Sequence, residues 1–469
     1  MIWVVIVFHV VGFISSIDAV MSTRTAQGAV AWAVSLNAFP YLAVPAYWIL
    51  GRSKFEGYVT ARQEGDQEIR RFAELADENT RHLRSTRSEH AASSRTSENL
   101  AKIPYLRGNE IELLIDGHAT FDSIFEGISK AEKYILVQFF IIKDDELGRG
   151  LKSAVLERAR AGVRVHVLYD EIGSTGLPKS YLEELREAGV EILDFHTRKG
   201  PGNRFQINFR NHRKIVVVDG HTAWIGGHNV GDEYMGRDPE FGRWRDTHVK
   251  ITGPSVISVQ LSFLEDWYWA TEKTPEFHWE PHLVTDQGAD VLIYPTGPAD
   301  RLESATLMFL TGINAAQKRL WIASPYFVPD ESIMNALHLA ALRGVDVRIL
   351  IPDKADHMPV YLAAFSFFEE AAGTGIRFFR YMDGFLHQKV VLVDDEIAAV
   401  GTANFDNRSF RLNFEIMAVV ANHAFAAEVE QMLLDDFEKS VEMHPGDYEN
   451  RSFWFKLSVR LARLTAPVQ

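Results

Sequence analysis

The second half of this chain repeats the first, and any fold must accommodate that duplication. From about residue 104 the first half reads IELLIDGHATFDSIFEGISKAEKYILVQFFII, then a helical stretch ending in RAGVRVHVLYD. The second reads VLIYPTGPADRLESATLMFLTGINAAQKRLWIASPYFV, then a helical stretch ending in LRGVDVRILIPD. Each gives strand, helix, strand, helix, strand. Strands alternating with helices predict a central sheet covered on both faces. Gly162 and Gly344 stand where helices close ahead of buried strands. Asp170 and Asp353 follow those strands at matching positions, where turn capping is the expected role. The expected fold is α/β, two pseudo-twofold lobes of mixed sheet flanked by helices.

Each half then carries the pattern H-x-K-x-x-x-x-D. The first copy is His212, Lys214 and Asp219; the second is His387, Lys389 and Asp394. In both, an apolar run joins the lysine to the aspartate. In both, a glycine stands seven residues past the aspartate and an asparagine three further on: Gly226 and Asn229, then Gly401 and Asn404. On an extended strand, residues i and i+2 share a face, so each His-Lys pair projects together.

Two such faces brought together surround one point with two imidazoles and two ammonium groups. That set suits an anionic phosphodiester. The lysines neutralise non-bridging oxygens and transition-state charge. One histidine can attack phosphorus; the other can protonate the leaving alkoxide and then deprotonate the incoming hydroxyl. Cationic side chains supply the charge a metal would otherwise bring, so no cofactor and no metal is expected. Asp219 and Asp394 end apolar strands, where fixing the turn that aims each His-Lys face is their expected job.

At these residues, and at FGRWRDTHVKITGPSV, SPYFVPD and GTANFDNRSFRLNFE, the chain resembles the phospholipase D superfamily, and within it the bacterial cardiolipin synthases. The resemblance covers nearly the whole chain. It implies a phosphatidyltransferase that parks a phosphatidyl group on histidine, releases glycerol and passes the group to a second phosphatidylglycerol. It assigns attack to His212 and leaving-group protonation to His387. It also supports a downstream acid for each half, and Asp246 and Glu415 are the expected pair that holds the histidines' N–H groups. Which acid serves which histidine stays open. Asn229 and Asn404 are expected to donate to the phosphate oxygens. Tyr326 and Phe327 of SPYFVPD line a lipid cleft or pack in the core. His228 and His248 lie close to the first motif, where packing or hydrogen bonding is the expected role, the alternative being that His248 reaches the headgroup.

A formal net charge of −14 argues against general nucleic-acid affinity. The expected partners are phosphatidylglycerol and anionic membrane lipid, no nucleic acid, and the reading allows a homodimer. Basic groups gather locally instead, at Arg198, Lys199, Arg204, Arg210, Arg213 and Lys214; all but Lys214 are expected to be solvated. The absence of cysteine excludes disulfides, zinc-thiolate sites and a cysteine nucleophile.

Residues 1–21 are apolar and about long enough to span a bilayer, and no basic segment precedes them as in a signal peptide. A second apolar stretch, Gly28 to Leu50, predicts a transmembrane hairpin, with Pro40 and Pro45 kinking its second arm or making it re-entrant. His9 and Asn37 are expected to bond between the arms, and Asp18 to reach the interface. Arg52, Lys54 and Arg62 outnumber Arg24 in the short loop, which favours a catalytic part on the cytoplasmic side of a bacterial inner membrane. The expected divisions are a hairpin (1–52), a polar linker (53–103) of one surface helix and a flexible Ser/Arg/Ala segment, two lobes (104–280 and 281–445) and a C-terminal helix (446–469). In that last helix Phe453, Phe455, Leu457, Leu461 and Leu464 share one face, flanked by Lys456, Arg460 and Arg463. The pattern predicts an interfacial helix on anionic lipid, the alternative being a helix docked on the protein's own core.

Other readings use the same groups: a phospholipase D-type hydrolase, phosphatidylserine synthesis, a nuclease, or a membrane scaffold with a decayed site. The apolar segments argue against the nuclease, and the completeness of both motifs against decay.

Overall fold

The computed structural model describes residues 2–23, 25–51, 66–86, 91–195, 208–286, 288–371 and 373–466. Arg24, Arg52, Lys54 and Arg62, which set the expected orientation, lie outside these residues, as do Arg198, Lys199 and Arg204 of the basic run.

Helix α1 (Ile2–Ser22) is the one described helix long and apolar enough to cross a bilayer. Helix α2 (Ala26–Ala38) packs back along it, close enough that a Cβ on Gly12 would lie 2.3 Å from the Leu36 carbonyl oxygen. Phe39 then leaves helical geometry (φ −136°, ψ 58°). Pro40 supplies no N–H and disfavours helix at the residue before it. Beyond the break, α3 (Pro40–Ala46) and the wider turn Tyr47–Gly51 head back toward the C-terminal end of α1. Tyr41 sits beside Phe8 and His9, whereas the Tyr47 hydroxyl donates to Asp18 at 2.7 Å and Trp48 Nε1 to Ser15 at 3.0 Å. The hairpin forms, but its second arm is a helix, a break and a returning helix. Asp18, expected to reach the interface, accepts the hydrogen bond from Tyr47. Asn37 lies on the exposed side of α2 and donates within its own helix, to Ala33.

The linker is docked. Helix α4 (Asp66–Thr80) presents Ile69, Phe72, Ala73 and Ala76 at helical spacing to a cluster with Ile257, Leu261, Leu264 and Trp279. The Phe72 and Trp279 rings stack at 5.3 Å. The Ser/Arg/Ala segment expected to be flexible contains a second helix, α5 (Ala91–Ala101), whose Leu100 and Ala101 join the core of the second lobe. Small residues made the segment look unstructured, yet they let a helix lie close against its neighbour.

The first half supplies β1 (Leu106–Ile115), β2 (Tyr134–Phe139), β3 (Arg164–Asp170), β4 (Glu191–Phe195), β5 (Ile215–Val218), β6 (Thr222–Gly226) and β7 (Thr247–Thr252). The second supplies β8 (Ala289–Thr296), β9 (Arg319–Ala323), β10 (Asp346–Pro352), β11 (Arg377–Tyr381), β12 (Val390–Val393), β13 (Ile397–Gly401) and β14 (Asn413–Ala421). They form one sheet in the order β4-β3-β2-β5-β6-β7-β1-β8-β14-β13-β12-β9-β10-β11. The second half repeats the first, and the halves meet where β1 pairs antiparallel with β8. In each, three strands run parallel and the motif strand, β5 or β12, joins them antiparallel. Both motif strands are buried along their length, as strands covered on both faces must be.

Four later helices matter below: α6 (Val256–Thr271), α7 (Met358–Ala371), α8 (His423–Glu438) and α9 (Phe453–Arg463). Residues of α6 and α8 share one apolar cluster with strands of both halves, including Val217, Ile251, Ile293, Val390 and Ile416. This common core fixes one lobe against the other and so fixes the distance between the two motifs.

Candidate active site

The His-Lys pairs stand on extended chain just ahead of β5 and β12, not within the strands. Each is held by a two-residue parallel ladder to the other lobe. Arg210 and Asn211 pair with Asn413 and Phe414, and the His212 amide donates to the Phe414 carbonyl at 2.9 Å. Phe385 and Leu386 pair with Trp244 and Arg245, and the His387 amide donates to the Arg245 carbonyl at 2.8 Å. The residue after each of those carbonyls is an acid, Glu415 or Asp246. The ladder register therefore places each acid beside the opposite lobe's histidine.

His212 Nδ1 lies 3.0 and 2.9 Å from the two Glu415 carboxylate oxygens. His387 Nδ1 lies 2.7 Å from Asp246 Oδ2. The pairing the sequence left open is crossed: each lobe's acid holds the other lobe's histidine. A carboxylate at Nδ1 fixes the tautomer with Nδ1 protonated and leaves Nε2 for chemistry. Glu415 is itself held by the Thr402 hydroxyl (2.6 Å), the Ser409 hydroxyl (2.8 Å) and Asn413 Nδ2 (3.1 Å). Asp246 accepts from the Thr247 amide at 2.8 Å, and Gly227 leaves it room, since a Cβ there would meet its carboxylate at 2.0 Å.

Lys214 and Lys389 are buried, and each ammonium bonds the carbonyl of its own motif histidine, at 2.7 Å for Lys214. Burial lowers Lys214 to about 7 and Lys389 to about 8. Burial also lowers His212 to about 4, against the pull of Glu415. It takes His387 well below the ordinary imidazole value, with both lysines adding to the effect. Burial pushes the Glu415 carboxyl up, but His212 and Lys214 outweigh it and hold it below the usual range. Both imidazoles are thus neutral near pH 7. An anionic phosphodiester among these four bases raises all their pKa values, charging the lysines and making a protonated histidine accessible.

Asp219 and Asp394 stand at the far ends of the motif strands. Asp219 accepts the backbone amides of Glu132, Lys133 and Tyr134 at 2.7–2.8 Å. Asp394 accepts those of Gln317, Lys318 and Arg319 at 2.7–3.2 Å. Both have positive φ, 54° and 52°, a conformation a short side chain bonded to nearby backbone tolerates. Each ties the turn after its motif strand to the start of the neighbouring strand. Asn229 accepts from the Ile141 amide and donates to the Tyr234 hydroxyl at 2.9 Å. Asn404 keeps Oδ1 buried without a partner among the described residues.

Beneath the site lie two buried ion pairs. Arg213 was expected in solvent, but its Nη1 donates to Asp266 at 2.9 Å and its Nε to the Glu415 carbonyl at 3.1 Å. Its neighbours on the motif are buried, so its own side chain has no route to water. On the other side Arg245 makes a two-pronged pair with Asp436, at 2.7 and 2.8 Å, and also bonds the Asp246 carbonyl. Gln388, between the second motif's histidine and lysine, donates to Asp436 at 2.7 Å. Sequence reasoning missed Arg245, Asp266, Asp436, Thr402 and Ser409. One signal was present: the acidic doublets Glu265-Asp266 and Asp435-Asp436, each before an aromatic residue and in matching places after the motifs.

His228 and His248 are fully buried and share a hydrogen bond, Nδ1 to Nδ1 at 3.0 Å, the bonding role expected of them. Phe327 is core, stacked on Phe405, whereas the Tyr326 hydroxyl donates to Asp356. Asp170 caps its turn through the Ile172 and Gly173 amides and also takes the Asn211 amide, next to His212.

Comparison with known proteins gives the family. The model of the family described as cardiolipin synthase, PLD-like domain, matches residues 124–252 and 309–437, once in each half. Cardiolipin synthase A of Pseudomonas putida (strain W619) is 50% identical over 465 residues, covering 98% of this chain and 96% of that one. Cardiolipin synthase A of Pseudomonas fluorescens (strain SBW25) is 49% identical over 469 residues, with the same coverage. The phosphatidylserine synthase of Haemophilus influenzae Rd KW20, at 18% identity and a TM-score of 0.62, covers 80% of this chain and 100% of its own, and shares the fold. With a family match in each half and half of its residues shared with full-length relatives, the chain belongs to the cardiolipin synthase family of phospholipase D-like enzymes.

Proposed function

We propose that the chain transfers a phosphatidyl group from one phosphatidylglycerol to another, releasing glycerol and forming cardiolipin. The observation that carries the mechanism is the crossed pair of dyads, His212–Glu415 and His387–Asp246, with Lys214 and Lys389 between them. His212 Nε2 attacks phosphorus; the P–N bond forms as the bond to the glycerol oxygen breaks, and His387 gives that oxygen its proton. A headgroup hydroxyl of the second phosphatidylglycerol then loses its proton to His387 and attacks phosphorus. The P–N bond breaks and both histidines return to their starting state. The lysines balance charge on the non-bridging oxygens throughout. Asn229 and Asn404 supply further donors, and Asp219 and Asp394 hold the motif strands in register. The two acids keep each imidazole in one tautomer.

The apolar N-terminal helix supports a membrane-associated enzyme whose substrate is bilayer lipid. Arg24, Arg52, Lys54 and Arg62 all follow α1, which favours the cytoplasmic face for the catalytic lobes.

The test is product analysis of purified enzyme in phosphatidylglycerol micelles, with His212→Ala and His387→Ala alongside. Cardiolipin and glycerol in equal amounts, lost in both variants, are expected. Phosphatidic acid and glycerol without cardiolipin would make the chain a hydrolase. No turnover of any phospholipid would overturn the reading.

A further inference from the structure

Helix α9 has two apolar faces. Phe455, Val459 and Ala462 turn inward, with Phe455 edge-on to Phe365 of α7 at 5.2 Å. At about 100° per residue, Phe453, Trp454, Leu457, Leu461 and Leu464 fall on the opposite side within roughly a 100° arc. All five are exposed, Phe453 at 70%, Trp454 at 73% and Leu464 at 76%. The three cations expected to meet anionic lipid are spent on the protein. Arg460 pairs with Glu369 at 2.8 Å, Arg463 pairs with Glu370 and stacks over Phe367, and Lys456 donates to the Glu449 carbonyl. One face therefore docks on the core, as the alternative sequence reading had it, while an uncharged aromatic and leucine face is left outward.

The direction of α9 gives that face its meaning. Contacts advance together, from Phe455–Phe365 to Arg460–Glu369 to Arg463–Glu370, so α9 runs parallel to α7. Its Phe453–Trp454 end thus points toward the start of α7, where Met358 is also exposed. That start follows Asp356 and His357, which lie against Tyr326; Asp356 is near enough to Lys389 for its charge to act on it. The apolar face begins on the flank of the second lobe where α7 leads away from Asp356 and Tyr326.

We propose that the outer face of α9 is a membrane-docking surface that beds this flank into the bilayer from which substrate is drawn. Apolar insertion drives the docking, and anionic headgroups do not. The inference rests on the reading of the chain as a phospholipid transferase. A lipid occupant follows from three features: the face starts beside the helix that leads from Asp356 and Tyr326, the arginines that flank it are paired with Glu369 and Glu370, and α1 already holds the chain at a bilayer.

The native chain has no cysteine, so one can be introduced cleanly at Trp454 and, as a control, at exposed Glu183 of the first lobe. Both full-length variants, carrying an environment-sensitive fluorophore, are reconstituted in vesicles of phosphatidylcholine with and without phosphatidylglycerol. The label at 454 is expected to shift to the blue and to be quenched at least threefold more by doxyl-labelled lipid than the label at 183, equally in both vesicle types. A label at 454 as wet as that at 183 would overturn the proposal. So would self-quenching that rises with protein density without doxyl quenching, which would assign the face to a second copy. Quenching that appears only with phosphatidylglycerol would overturn apolar docking in favour of charge. Replacing Phe453, Trp454, Leu457 and Leu461 together by Ser should raise KM for vesicle phosphatidylglycerol at least fivefold and leave turnover of a short-chain monomeric substrate unchanged. The fluorescence result does not depend on turnover, so failure of the transferase reading leaves it readable.

Discussion

Asp246, in the first lobe, accepts the Nδ1 proton of His387, in the second, at 2.7 Å, and Glu415 of the second lobe does the same for His212 of the first. Neither lobe holds a complete dyad. A single lobe would present a histidine with no acceptor, so catalysis requires the two halves in register.

Asp246→Asn and Glu415→Gln should each preserve the fold and lower turnover by on the order of a thousandfold, because the amide no longer fixes the tautomer that frees Nε2. Steady-state rates with circular dichroism check this. A loss below about tenfold in either variant would remove that acid from the mechanism.

The lysines predict an alkaline limb. They act as cations, so activity is present below their pKa values and is lost as pH rises through them. For free enzyme, kcat/KM should fall above about pH 7 to 8, following Lys214 and Lys389. The limb in kcat should lie higher, since bound phosphodiester stabilises the charged forms. A kcat/KM profile flat to pH 10 would overturn the lowering of these two lysines by burial.

Asp394→Ala removes an acceptor shared by three backbone amides, and should cost about 3 kcal/mol of stability. The rate per folded molecule should change far less. Thermal denaturation paired with active-site titration separates the two. A large loss of rate at unchanged stability would give the aspartate a chemical role.

Asp436→Asn leaves Arg245 deprived of its main buried partner, and breaking such a pair costs about 3–5 kcal/mol. Because Arg245 and Gln388 adjoin Asp246 and His387, turnover should fall as well. The loss should be greater for phosphatidylglycerol than for a p-nitrophenyl phosphodiester, whose leaving group needs no proton. Equal losses on both substrates would show that the pair supports the fold alone.

The break at Phe39–Pro40 predicts one crossing of the bilayer, with the start of α1 and the catalytic lobes on opposite sides. Cysteines at Trp3 and Ser93, probed with an impermeant thiol reagent in intact vesicles, should react from opposite faces. Reaction from the same face would mean that the second apolar stretch crosses.

The sequence by itself determined the repeat, the α/β class and the six motif residues, and resemblance to a known superfamily pointed to the two orienting acids. Spacing of two along extended chain and alternation of helix with strand are local properties. They survive in a linear string because they depend on backbone geometry common to all chains. Only tertiary structure decided which acid meets which histidine. That follows from two-residue ladders between segments 203 and 141 residues apart, which no local pattern encodes. It also decided the fate of charge. Arg213, Arg460 and Arg463 read as solvated or lipid-facing in sequence, yet each is paired with a carboxylate brought to it by packing. The second apolar stretch shows the same division. Composition gave its apolarity, but whether it crosses or returns depends on the hydrogen bonds from Tyr47 to Asp18 and from Trp48 to Ser15, which exist only once the helices are side by side.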